Sequence, residues 1–308
     1  MEISDKLKNI YRHWKYHTNS PFSPTSPKID LDKSYLDQIG KFAIARMKIW
    51  EKIERRFNPP FTVDPILQRY RFCNIYRELD KQTIEYHTLL YDIRDNLDLW
   101  LLNMMFCRLI CRYETIGHIG LLSYDRRNNE KVFEKLKALP SPKYGTAYVF
   151  PISVIMRSRY PSREQFFCFY LPKIMKSCIK IIRLFDRIGV ADGVEKVLPV
   201  FKYNLRFHWT EALIDLAYQY PQYIDLFKRF PIGPGSTPTM RILNKTANPE
   251  NTCLALMRAG FKNFSYLSYG RKQVWLSAEN WEGICCEFRK YDNLQHGKGR
   301  KRIFTYTT

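Results

Sequence analysis

The 308-residue sequence lacks the short motifs that mark most nucleotide and metal chemistry. It has no Gly-x4-Gly-Lys-Ser/Thr, which argues against a P-loop phosphotransferase, and no Gly-x-Gly-x-x-Gly follows a strand pattern. No His-Glu-x-x-His occurs; His13 and His17 stand four apart without a third ligand and read as surface histidines. The cysteines, at 73, 107, 111, 168, 178, 253, 285 and 286, form no Cys-x-x-Cys pair and no iron–sulfur grouping. Most lie in apolar stretches and read as buried free thiols of a reducing compartment. No metal or organic cofactor is expected. The start, Met1-Glu-Ile-Ser-Asp-Lys6, lacks the apolar core of a signal peptide. The most apolar run, Leu97 to Cys111, contains Asp98 and Arg108 and is too short and charged to span a bilayer. A cytoplasmic protein without a membrane partner is expected, in a host cell's cytoplasm if the source is viral.

Acidic residues are also scarce: 30 Asp and Glu face 50 Lys and Arg, for a net charge of +20. A compact fold repels itself at that charge, so an anionic partner is the economical explanation. Nucleic acid ranks ahead of membrane, because the basic residues run along the whole chain and interleave with aromatics, whereas membrane-surface proteins more often concentrate them in one amphipathic helix. With 45% apolar residues, 21 Tyr and 20 Phe, the chain carries enough material for a sizeable core.

Helical periods dominate its organisation. Residues 1–30 read as an N-terminal extension, with three prolines between Asn19 and Lys28 marking a linker. Residues 31–296 read as one helical domain and 297–308 as a basic tail. Tyr35 to Phe57 forms one long amphipathic segment, stopped by Pro59-Pro60. Asp64-Pro65 has the form of an N-cap and first helical residue. Further helical faces lie at Leu99 to Tyr113, Ile174 to Phe185 and Thr210 to Tyr220, and after Ser277, the expected N-cap of a last helix. Strand patterns are confined to Ala147–Ile155 and Phe264–Val274. The fold class is all-α.

Three stretches are candidates for chemistry. From Asp64 to Asp80, helical spacing places Arg71, Asn74 and Glu78 on one side, with Arg77 and Asp80 beside them; a solvated, salt-bridged face explains the spacing equally well. Pro231-Ile-Gly-Pro-Gly-Ser236 makes a tight turn whose N–H groups can converge on an anion, or an ordinary loop. Glu287-Phe-Arg-Lys-Tyr291 leads into Gly297-Lys-Gly-Arg-Lys-Arg302, a phosphate-tracking or merely solubilising tail.

Together these stretches resemble the alpha-glutamyl/putrescinyl-thymine pyrophosphorylase family, amino acid:DNA transferases related to the helical domain of 5-hydroxymethyluracil DNA kinases. Four blocks carry the resemblance in order: Pro59 to Asp80, Asp98 to Thr115, Gly233-Pro-Gly-Ser236, and Cys286 to Tyr291 followed by Gly297-Lys-Gly299. The resemblance spans roughly residues 40–304 and implies a helical bundle similar to helix–hairpin–helix DNA glycosylases. It also implies work on bacteriophage DNA, where a kinase pyrophosphorylates 5-hydroxymethyluracil and a transferase lets an amino acid such as glycine, or an amine, displace the pyrophosphate. Without a kinase module, the chain resembles the stand-alone transferase. It departs from the family at Phe207-His-Trp-Thr210, where Trp209 replaces a hairpin glycine, and at Arg289, where an acid is usual.

For that reaction, Arg69, Arg71, Arg77 and the turn Gly233, Gly235 and Ser236 are candidates to meet the anionic leaving group. Glu78, Asp80 and Glu287 are candidates for the base that frees the amine nucleophile. Asn74, Lys290, Tyr291 and Lys298 complete the candidate substrate and DNA contacts. Tyr76, Trp100, Trp281 and Tyr291 are aromatics on which an extruded base could stack. The partners expected are double-stranded DNA with modified thymine, a free amino acid or polyamine, and a 5-hydroxymethyluracil DNA kinase. The alternatives are a non-catalytic DNA-binding module partnering such a kinase, and a base-excising glycosylase.

Overall fold

The computed structural model describes residues 1–19, 28–147 and 149–304. The proline-rich linker therefore lies, from Ser20 to Pro27, outside the described residues, as do the last four residues of the tail. Among the described residues, regular structure is helical apart from one small hairpin, Ser268–Tyr269 against Lys272–Gln273, so the chain is all-α. Gly270 and Arg271 form its two-residue turn with φ of 57° and 66°, matching the twist of the flanking strands. Among the described residues of the Ala147–Ile155 stretch, which leave out Tyr148, the strand pattern is not realised. A helix, Ile152–Arg157, starts behind Pro151, whose ring fixes φ at −68°.

The chain divides into two compact units, one of residues 1–4, 14–80 and 226–308, the other of 5–13 and 81–225. In the first, the helix Lys33–Glu54 begins where Asp32 accepts the Tyr35 N–H at 2.8 Å. It turns Ile39, Phe42, Ala43, Met47 and Trp50 inward, three or four residues apart. Against it packs Ala278–Gln295, opened as expected by Ser277, in a reciprocal cap with Asn280. Phe42 meets Phe288 at 5.8 Å between ring centroids, and Phe261 meets Trp281 at 4.5 Å.

In the second unit, Leu97–Ile110 and Arg206–Gln219 pack together and are buried on nearly every side, with Leu171–Ile182 and Val190–Phe201 around them. A helix apolar all round belongs at the centre of a core, which accounts for the apolar run near residue 100. Among the described residues no helix is long and apolar enough to cross a membrane. Trp209 is fully buried in the helix Arg206–Gln219, with its ring 5.4 Å from Phe201. The departure from the family's glycine thus coincides with continuous helix rather than a hairpin.

One further expectation is corrected. His13 and His17 are buried, not surface residues. Neighbouring aromatics enclose each ring: Tyr218 lies 4.7 Å from His13, and Phe227 lies 4.9 Å from His17. Burial pushes His13 well below the ordinary histidine pKa, with His87 acting in the same direction. Of the free cysteines, Cys73 is exposed and Cys286 half-buried; the other six are buried as expected.

Candidate functional site

The candidate residues in the Asp64–Asp80, Gly233–Ser236 and C-terminal stretches all fall in the first unit. Asp64 caps Pro65–Arg69, one carboxylate oxygen accepting the Ile66 and Leu67 N–H groups at 2.8 and 2.9 Å. The helix then stops, and the predicted stripe through Arg71, Asn74 and Glu78 does not form. Tyr70 is extended, and regular structure resumes only as the single turn Arg77–Leu79. The backbone groups between find partners elsewhere, as they must. The Arg71 N–H donates to the Arg302 carbonyl at 2.9 Å, and the Phe304 N–H to the Arg69 carbonyl at 2.8 Å. Buried Arg46 donates to the Phe72 and Cys73 carbonyls at 3.0 and 3.4 Å. The basic tail is thus laced along residues 69–71, and this pairing replaces the helix.

The three candidate bases occupy different environments. Glu78 is 0% exposed and faces Asn280 Nδ2 at 3.5 Å and His17 Nδ1 at 3.9 Å. Burial raises its carboxyl above the usual range, against the opposing pull of His17. Glu287 is buried beneath two cations. Lys290 donates to Oε1 at 2.6 Å, while Lys301 and the Cys73 N–H donate to Oε2 at 2.7 and 3.0 Å. Burial disfavours this charge, yet Lys301 and Lys290 together hold the pKa below the ordinary glutamate value. Asp80 is half-buried, and its Oδ1 accepts the Asn74 N–H at 3.1 Å. Burial pushes its pKa up to about 6, the Asn74 N–H and Arg77 pull it down, and Glu287 adds to the rise.

The other candidates are placed as follows. The Asn74 side chain donates to the Leu79 carbonyl at 2.8 Å and holds the turn that carries Asp80. Tyr291 donates to the second Asp64 oxygen at 2.5 Å, which makes it a structural brace rather than an open stacking platform. Arg69 and Arg71 are exposed, Arg69 lying over the Tyr70 ring at 5.4 Å; Arg77 is half-buried. Lys298 is exposed between Gly297 and Gly299, whose φ values of 69° and 81° turn the tail back. Tyr76, Trp100 and Trp281 are core residues with at most 1% exposure, so none is a surface for an extruded base.

The Gly233–Ser236 turn does bind an anion, but that anion is a side chain of the same chain. Glu282 Oε1 accepts the Gly233 N–H at 3.2 Å and the Ser236 hydroxyl at 2.7 Å. Glu282 and Glu287 lie five residues apart on one helix, roughly 140° apart around its axis at 3.6 residues per turn. The turn therefore does not join the cluster of Asp80, Asn74, Arg77, Glu287 and Lys290. Gly235 is explained by packing: a Cβ there would lie 2.5 Å from Cys286 Sγ.

A family model described as the helical domain of 5-hmdU DNA kinases matches residues 33–301. The chain belongs to that family. The match runs through both compact units and takes in every candidate residue named above. No curated protein and no solved structure matches the chain. Membership in the 5-hmdU DNA kinase helical-domain family ties the protein to DNA modification.

Two residues that brace this cluster were not among the sequence candidates. Arg46 sits on the inward stripe of Lys33–Glu54, between Ala43 and Met47; a cation on an otherwise apolar face is a readable signal for a buried partner. Lys301 carried no such signal, being one of four cations in a six-residue tail.

Proposed function

We propose that this protein is an amino acid:DNA transferase of thymine hypermodification, acting on pyrophosphorylated 5-hydroxymethyluracil in DNA. The amine nitrogen of an amino acid such as glycine, or of a polyamine, attacks the methylene carbon. The carbon–oxygen bond breaks, pyrophosphate leaves with the electron pair, and the amine proton passes to a carboxylate. Asp80 carries this reading. It is half-buried with a pKa near 6, as suits a general base at neutral pH. Glu78 is shut away from solvent, and Glu287 is committed to Lys290, Lys301 and Cys73, so neither suits that role. Exposed Arg69 and Arg71 are the cations proposed to meet the pyrophosphate, and the Lys298 segment to follow the DNA backbone.

The test is transfer of labelled glycine, other amino acids or polyamines to DNA carrying the pyrophosphorylated base. The expected result is labelled DNA with equimolar pyrophosphate. The rate should rise with pH through about 6, where Asp80 ionises and can accept a proton, and go on rising more gradually in step with the neutral fraction of the amine. Asp80→Asn should abolish transfer while DNA binding persists. A second reading is favoured by the family's description as one domain of a kinase: a DNA-binding module that presents DNA to a 5-hydroxymethyluracil DNA kinase. Salt-dependent DNA binding with no transfer of any amine would select that reading.

A further inference from the structure

In the second unit, a cavity of about 580 Å³ opens between the segment 124–129 and the helical stretch 160–176. Its volume falls within the range of about 300–1,000 Å³ common to small-molecule sites. Rings of Tyr124, Tyr160 and Phe169 line it, with Arg126, Lys173 and Lys176 among them. Among the described residues no carboxylate lines it. The rings are held from behind. Tyr124 donates to the Asp98 carbonyl at 3.2 Å, Tyr160 stands edge-on to Tyr170 at 5.7 Å, and Phe169 lies 5.2 Å from Phe133.

The helix that forms one wall is irregular there. Residues Phe166–Tyr170 make a π-turn, the Leu171 N–H donating to the Phe166 carbonyl five residues back. Pro172 accounts for it. Inside a continuous helix its ring would strike the carbonyl four residues earlier, that of Cys168, and it has no N–H to give. A widened turn absorbs both effects. Such single π-turns often mark functional sites. From the cavity, exposed Lys173, Lys176 and Lys180 continue along one face of Leu171–Ile182. Lys173 to Lys180 spans about 10 Å at 1.5 Å per residue, longer than one nucleotide needs.

We propose that this cavity is a nucleotide site for a DNA strand: one base sits among Tyr124, Tyr160 and Phe169, and the adjoining phosphates lie on Lys173, Lys176 and Lys180. Aromatic rings beside a cationic track are how single strands are held without sequence preference. The Gln165 amide at the wall offers the base a donor and an acceptor. The inference rests on the cavity and not on the transfer reaction, so it stands or falls separately from the role given to Asp80.

The test uses the full-length protein and a single-stranded oligodeoxynucleotide carrying one 5-iodouracil. Irradiation should crosslink that base to Tyr124, Tyr160 or Phe169, as located by mass spectrometry, in wild type and in Asp80→Asn alike. Both lysines are exposed, so the double variant Lys173→Ala/Lys176→Ala should fold normally. It should bind the oligonucleotide at least tenfold more weakly, and the slope of log affinity against log salt should fall in magnitude by about 1.4, from 0.7 per phosphate. Lys41→Ala/Lys48→Ala, which removes two exposed cations from Lys33–Glu54, is the matched control and should change the slope far less. Crosslinks confined to other residues, or equal losses in the two double variants, overturn the proposal. So does protection of Tyr160 by thymidine monophosphate with no crosslink from the strand, which would make the occupant a free nucleotide.

Discussion

Ser236 donates its hydroxyl hydrogen to Glu282 at 2.7 Å, so the Gly-Pro-Gly-Ser turn is filled by a carboxylate of its own chain. The turn's geometry was legible in the sequence as a place for an anion. Which anion it takes was not, because Glu282 lies 46 residues further along. Ser236→Ala removes a donor from a charged acceptor and should destabilise the protein by about 1.5–3 kcal/mol. Urea unfolding measures this. DNA affinity should stay within about twofold of wild type; a tenfold loss of affinity at unchanged stability would return the turn to the DNA-binding role.

Gly235 supports a second test of the same element. A methyl group there would lie 2.5 Å from Cys286 Sγ and 3.6 Å from its Cβ. Gly235→Ala should therefore cost about 1–3 kcal/mol, as overpacking does. Cys286→Ala removes the sulfur and leaves an ordinary contact, so the double variant should recover most of the loss. Additive losses would mean that the glycine serves something other than this close approach.

What was readable in the sequence followed local rules. Asp64-Pro65 and Ser277 start helices where their cap chemistry says they should, and the long helix before Pro59 has the inward stripe its spacing required. Reading failed where distant chain decided. The stretch 70–76 has helical spacing, but its backbone bonds go to Arg302 and Arg46 instead. His13 and His17 look exposed in a polar N-terminal segment, yet aromatic rings far along the chain bury them. The same holds for the site. The residue types were legible, but only the tertiary contacts separate half-buried Asp80 from sealed Glu78 and doubly clamped Glu287.

Those last contacts predict opposite pH effects on stability. The folded pKa of Glu287 lies below its unfolded value, so its contribution is present above about pH 4.3 and is lost as pH falls through the folded value. Glu287→Gln should weaken the protein at pH 7 by about 1.5–3 kcal/mol through its charged hydrogen bonds, and progressively less as pH falls through the folded pKa. Asp80 runs the other way. Its pKa rises from 3.8 to about 6, so its contribution is greatest below 3.8 and declines as pH rises through about 6. Asp80→Asn should flatten that decline. Unfolding midpoints between pH 3 and 7 for the two variants check both signs, and parallel profiles for variants and wild type would contradict them.

Arg108 and Asp215 permit the sharpest test in the second unit. The guanidinium grips the carboxylate through two bonds of 2.6 Å, Glu211 approaches Arg108 at 3.8 Å, and His87 Nε2 lies 3.3 Å from Asp215. Arg108 and Asp215 are at most 1% exposed, on the two helices that form the centre of this unit. Burial alone would raise the Asp215 pKa; Arg108, aided by His87, instead holds it far below the carboxylate range. Arg108→Met strands a buried carboxylate and should cost about 3–5 kcal/mol, whereas apolar replacement of both partners is often neutral or stabilising. The double variant Arg108→Met/Asp215→Leu should therefore be more stable than Arg108→Met alone. If denaturant unfolding finds the double variant weaker than either single variant, the pair is doing more than neutralising itself.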